Sequence, residues 1–146
     1  KLSMGYPTYE QEIQMTKEYL FKKSPLTMEP IVNGGLIKEM QLEAEKVFVH
    51  DDLLSYLMDI ITKTRNSLKL SLGASPRATL MMIQSARAYA FLKGRNYVIP
   101  DDLITLFPYV LPHRFVLSTE GRIGNVNVEN IVAEIVEKTN VPVLPN

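Results

Sequence analysis

The stretch Gly73-Ala74-Ser75-Pro76-Arg77-Ala78 holds the residues best placed to do chemistry. Ser75 is a favoured N-cap and Pro76 a favoured first helical residue, so a helix is expected to begin here. A helix start presents backbone N–H groups without intrahelical partners, together with the positive end of the dipole. Arg77 adds a guanidinium in the first turn. The combination suits a phosphate, which arginine grips bidentately. The plainer alternative is a solvated arginine, and a cation at a helix N-terminus is mildly unfavourable. The surrounding charge pattern points the same way. Between Asp59 and Asp101 there is no acidic residue, while Lys63, Arg65, Lys69, Arg77, Arg87, Lys93 and Arg95 all fall there. That asymmetry suggests a local anion site, unless these bases are scattered over several faces.

Other candidates carry less. His113-Arg114 follows Pro112 and suits an interface or a site, or a turn whose side chains bond nearby carbonyls. Thr64-Arg65 closes a helical pattern, where Arg65 complements the negative dipole end or reaches a neighbour. Val47-Phe48-Val49-His50-Asp51-Asp52 superficially resembles an apolar strand ending in paired magnesium-binding acids. The plainer reading is favoured: Asp51 or Asp52 caps the next helix and His50 lies on the surface. No GxxxxGK[ST] and no GxGxxG occurs. The two histidines, His50 and His113, lack helical ligand spacing, no metal ligand set can be read, and no nucleophile with its base is recognisable. An autonomous enzyme is therefore not expected.

Composition bounds the class. The 146 residues fit one domain, and 46% are hydrophobic, a globular value. A chain of this size buries roughly 70% of the surface it exposes when unfolded, so no staple is needed. There is no cysteine, which excludes disulfides and makes a reducing cytoplasm the simplest home. No apolar run approaches the ~20 residues of a membrane helix, so no membrane partner is expected. Lys plus Arg equals Asp plus Glu, sixteen each, which argues against a nucleic-acid partner. The opening Lys1-Leu2 and the turn-like Gly5-Tyr6-Pro7 read as the tail of an upstream segment.

Six helical segments are expected to position these residues. Thr8-Tyr9-Glu10-Gln11 is a capping box, followed by Tyr9, Ile13 and Leu20 on one face, with Lys22-Lys23 at the end and Ser24-Pro25 as the stop. Residues 24–35 read as a linker closing with Asn33-Gly34-Gly35. A second helix carries Ile37, Met40, Ala44 and Val47, and a third carries Leu54, Leu57 and Ile61. Leu68, Leu70 and Leu72 alternate, as in a short extended run. The helix from Ser75 runs through Leu80, Ile83, Ala86 and Ala90 to Gly94, a natural left-handed stop. Tyr97-Val98-Ile99 is expected to be extended and to pair with Phe48-Val49. Pro100-Asp101-Asp102 opens a fifth helix with Leu103, Leu106, Phe107, Val110 and Leu111 at full amphipathic spacing, ended by Pro112. Residues 118–127 read as turns before a last helix with Val128, Ile131, Val132, Ile135 and Val136. The fold class is all-α, a small helical bundle with a minor short β-pairing.

In order along the chain, several stretches resemble the C-terminal part of MoxR-type AAA+ ATPases, the methanol dehydrogenase regulator-like group. They are Gly5-Tyr6-Pro7 with Glu12, Thr64-Arg65, Leu72 to Ala78, Gly94-Arg95-Asn96-Tyr97-Val98, Pro100-Asp101-Asp102 and Leu111-Pro112-His113-Arg114. The resemblance spans roughly Met4 to Pro145 and implies a helical lid. It implies that residues 1–35 end the ATPase core and supply a linker helix, and that residues 36–146 form the lid. Arg77 then occupies the second-sensor position, touching the terminal phosphates of ATP, with Ser75 and Pro76 at the same helix start. Arg65, His113 and Arg114 fall to the interface. ATP and Mg belong to the full-length protein, which hydrolyses ATP through an N-terminal core holding the Walker motifs. The family implies a homo-oligomeric ring, commonly a hexamer, in which the lid serves its own nucleotide or its neighbour's. Chaperone-like remodeling, metal-cofactor insertion and von Willebrand factor A domain partners come with the resemblance too. The rival reading is a stand-alone helical interaction or regulatory module without nucleotide, which an upstream GxxxxGK[ST] would eliminate.

Overall fold

The computed structural model describes residues 4–21 and 29–143. Among them are seven α-helices: α1 (Tyr9–Leu20), α2 (Gly34–Glu45), α3 (Asp51–Arg65), α4 (Pro76–Leu92), α5 (Pro100–Val110), α6 (Thr119–Ile123) and α7 (Val128–Glu137). Two short strands, β1 (Leu70–Leu72) and β2 (Val116–Leu117), pair antiparallel, with Leu70 opposite Leu117 and Leu72 opposite Val116. The expected all-α bundle with a minor β-pairing is what forms.

Local chemistry explains most boundaries. Thr8 and Gln11 make the expected capping box, each side chain bonding the other's backbone N–H. The basic end Lys22-Lys23 and the Ser24-Pro25 stop lie outside the described residues. Asn33 caps α2 through the Leu36 N–H, so Gly34 and Gly35 open the helix instead of closing a linker. His50, not Asp51 or Asp52, caps α3: its Nδ1 accepts the Asp52 N–H at 3.1 Å. Gly94 adopts φ +74 after α4, as a left-handed stop requires. Phe48 and Tyr97 form the expected bridge, with the Phe48 N–H on Asn96 and the Val98 N–H on Phe48. The stretch 118–127 is more ordered than a run of turns: Ser118 caps α6 through the Gly121 N–H.

The core gathers side chains from α3, α4, α5 and α7, with Val47 and Val98 at the bridge. The face of α3 is Leu53, Tyr56, Leu57, Ile60 and Ile61, while Leu54 is 38% exposed. Helix α4 packs against α2 and α5 and buries Ala78, Met82, Ala86 and Ala90. The Leu80 expected on that face is 67% exposed instead. By contrast α1 buries none of its residues.

At the far end of α4, Arg95 braces the turn into α5. Its guanidinium forks onto Asp102, Nη1 to Oδ2 at 2.8 Å and Nη2 to Oδ1 at 2.5 Å, and also reaches the Tyr97 carbonyl. Asp102 is buried and accepts the Ile99 N–H as well, so one carboxylate closes the loop and caps α5. The bond to Asp102 raises the Arg95 pKa, which keeps the guanidinium charged. This is the structural role of the Gly94 to Val98 and Pro100-Asp101-Asp102 stretches.

Candidate functional site at the start of helix α4

Helix α4 begins where the sequence places it. The Ser75 side chain accepts the Ala78 N–H at 3.3 Å, and the Ser75 carbonyl accepts from Ala78 and Thr79. Pro76 has no N–H to offer. The helix start therefore presents one open amide, that of Arg77, where several were expected. Beside it the Arg77 side chain is exposed and has no hydrogen bond or ion pair among the described residues.

The approach to that start is fixed from α3. Thr64 is buried, and its hydroxyl donates to the Ile61 carbonyl at 2.7 Å while accepting the Ala74 N–H at 3.0 Å. The next residue, Arg65, donates from Nε to the Ala74 carbonyl at 2.8 Å. Both backbone groups of Ala74 are thus held by consecutive residues. Gly73 lies flat against the same spot: a Cβ there would sit 2.7 Å from Thr64 and Arg65 backbone atoms.

His113 and Arg114 lie in a single 3-10 turn, Pro112–Arg114, after α5. Arg114 bonds the Val110 carbonyl through Nε at 3.1 Å and meets the Met81 sulfur through Nη2 at 2.9 Å. Met81 is four residues beyond Arg77, on the same stripe of α4. The corner after α5 thus meets the α4 stripe that carries Arg77. His113 is exposed at this corner.

The other bases of the acid-free window scatter over several faces. Lys63 bonds the Lys138 carbonyl and Thr139, Lys69 pairs with Glu134, Arg95 with Asp102, and Lys93 lies over the Tyr89 ring. Arg87 lies mid-helix on α4 in a cleft shared with Glu45 of α2, its Nε buried without a hydrogen-bond partner among the described residues, so Arg77 is the base of this window that stands at a helix start. Among the described residues no group of three or more His, Cys, Asp or Glu side chains is placed to hold a metal. Sequence reasoning saw Thr64 only as part of a pair with Arg65. A hydroxyl in the last turn of a helix, nine residues before a Gly-Ala-Ser turn, was the available signal.

A family model described as the AAA lid domain matches residues 62–135, from the last turn of α3 to α7. The chain belongs to the AAA lid domain family. The lid is 39% identical over 145 residues to the uncharacterized protein YeaC of Bacillus subtilis, covering 98% of this chain and 45% of that protein. It is 32% identical over 151 residues to Chaperone MoxR1 of Mycobacterium tuberculosis, covering 97% and 40%. A crystal structure of a Cytophaga hutchinsonii protein with a provisional ATPase name superposes with a TM-score of 0.81 at 24% identity, covering 96% of this chain and 45% of that one. The lid spans less than half the length of these relatives. Among its relatives are proteins named MoxR, and no described helix is long and apolar enough to cross a membrane.

Proposed function

We propose that this lid serves a ring-forming MoxR-type ATPase and supplies Arg77 as its second sensor. The observation that carries the reading is the unpartnered guanidinium of Arg77 beside an open amide at a helix start held rigidly by α3. These residues fit a terminal phosphate: a cation is presented, a donor stands next to it, and no carboxylate neutralises either. ATP and Mg would be held by a core carrying the Walker motifs, where hydrolysis takes place. From this chain, Arg77 would stabilise the charge that develops on the phosphate during transfer.

The remaining features are arranged consistently with that role. Helix α1 leaves Tyr9, Met15, Tyr19 and Leu20 exposed, which suits residues 1–35 closing against an ATPase core, with 36–146 as the lid proper. Arg114 meets α4 at Met81 and Arg65 meets its approach at Ala74, and with exposed His113 they suit a ring interface, a hexamer being the assembly proposed. A chaperone-like remodeling role rests on the name of the mycobacterial relative, and metal-cofactor insertion with von Willebrand factor A domain partners belongs to the same proposal. A chain without cysteine suits the cytoplasm.

The test is Arg77→Ala in the full-length protein. Turnover should fall by roughly 10²-fold while the ring persists, as when a preorganised charge is removed from a transferring group. Mixing this variant with a Walker-dead one distinguishes the two geometries: restored activity means that Arg77 acts on the neighbouring subunit. Turnover at the parent rate would return Arg77 to the status of a surface arginine.

A further inference from the structure

We propose that Thr64 and Arg65 are positioning residues for Arg77, locking the turn that aims it; this rests on the second-sensor reading above. Arg77 lies only three residues beyond Ala74. Between them the chain has one internal fastening, the Ser75 cap. The hydrogen bonds that tie this turn to α3 pass through Ala74, whose N–H goes to Thr64 Oγ1 and whose carbonyl goes to Arg65 Nε. Thr64 is 1% exposed, so its hydroxyl is shielded from competing water. That hydroxyl does two things at once, donating back to Ile61 and accepting from Ala74, which a threonine or serine can do and a valine cannot. The close approach at Gly73 removes the slack that a side chain would introduce. An arginine on a long flexible stem gains from a fixed origin, because a displacement near 1 Å can reduce a rate by as much as ~10²-fold.

The experiment measures ATP turnover of the full-length protein in a double-mutant cycle. Thr64→Val keeps the volume but removes both bonds, and should lower kcat by roughly 10- to 100-fold. Thr64→Ser should stay near the parent rate. In the Arg77→Ala background, Thr64→Val should lower the rate no further, because the group it aims is already gone. Should Thr64→Val fail to fold, Gly73→Ala provides the second test, since it leaves every charged side chain in place and only displaces the turn. It should lower kcat in the parent and not in Arg77→Ala. A collapse on Arg77→Ala with full activity in Thr64→Val or Gly73→Ala would refute the positioning role alone. An equal fall in both backgrounds would refute it too, showing a general structural effect. Parent-rate turnover in Arg77→Ala would refute both the sensor reading and this proposal.

Discussion

Replacing Arg95 by Met should destabilise the lid far more than a typical half-exposed substitution. Methionine keeps most of the aliphatic stem, so the change isolates the guanidinium. The Asp102 side chain is 3% exposed and would lose two charge-assisted bonds, keeping only the Ile99 N–H. Breaking a buried pair from one side costs about 3–5 kcal/mol, most of it the penalty of an uncompensated carboxylate. Arg95 itself is 23% exposed, so water reaches the vacated side and the lower end applies, about 3 kcal/mol. For a chain of this length that is a fall in Tm of about 10 °C. Urea denaturation followed by circular dichroism gives the same quantity as a shift in midpoint at unchanged slope. The decisive comparison is Arg95→Met with Asp102→Asn. The neutral amide can still accept from Ile99, so the double variant should recover at least ~1 kcal/mol over Arg95→Met alone. If Arg95→Met costs under ~1 kcal/mol, or the two changes simply add, the reasoning from a stranded carboxylate fails.

Other outcomes follow from individual contacts. Hydrogen bonds from Lys138 and Lys69 hold the Glu134 carboxyl down to about 2, from an ordinary 4.5. A depressed acid contributes stability that is full above its unfolded pKa and is lost as pH falls through the folded one, here from about 4.5 towards 2. Glu134→Gln should flatten that limb of the melting profile, with a smaller effect in high salt because the side chain is 42% exposed; an unchanged limb would count against it. Ser75→Ala removes the cap of α4 and should cost ~1 kcal/mol, whereas exposed Arg77→Ala should stay within ~0.5 kcal/mol. Thermal melts of the two variants that reversed this order would undo the separation of folding from chemistry. The isolated chain should melt cooperatively and show no ATP turnover, and a melt strongly raised by ATP would mean that most of the nucleotide site lies within these residues.

Helix ends with strong local chemistry were legible in the sequence. Ser75-Pro76 opens α4, Gly94 closes it and Thr8 caps α1, because each depends on residues within one turn. Helix faces were less legible where apolar residues are adjacent. Leu53 and Leu54 fit the period equally well, and only packing against the neighbours decides that Leu53 goes inside. Leu80 and Met82 pose the same ambiguity on α4. Helix α6 escaped notice because five residues carry no periodicity; it is held by tertiary contact, with Gly121 packed so closely that a Cβ would run into the Lys69 carbonyl. His50 took the capping position from two aspartates that are stronger caps by type. At the site, Arg77 could be found from its helix start. The clamp beneath it was signalled only by a hydroxyl nine residues before the turn, since Thr64 and Ala74 meet only when the chain folds back.

Three of the four buried side chains of α4 are alanines, at positions 78, 86 and 90. An alanine has no rotamer to change, so a push along or across the helix cannot be absorbed on the α4 side by swivelling of these three side chains. A pull on Arg77 is therefore borne by the whole of α4 and passed to α2 and α5, which pack on it. At seventeen residues α4 is about 25 Å long, enough to carry a displacement from the arginine to the Arg95 brace at its other end. In the proposed role of Arg77, the lid would act as a lever with its handle there, and smooth inner faces would stiffen it.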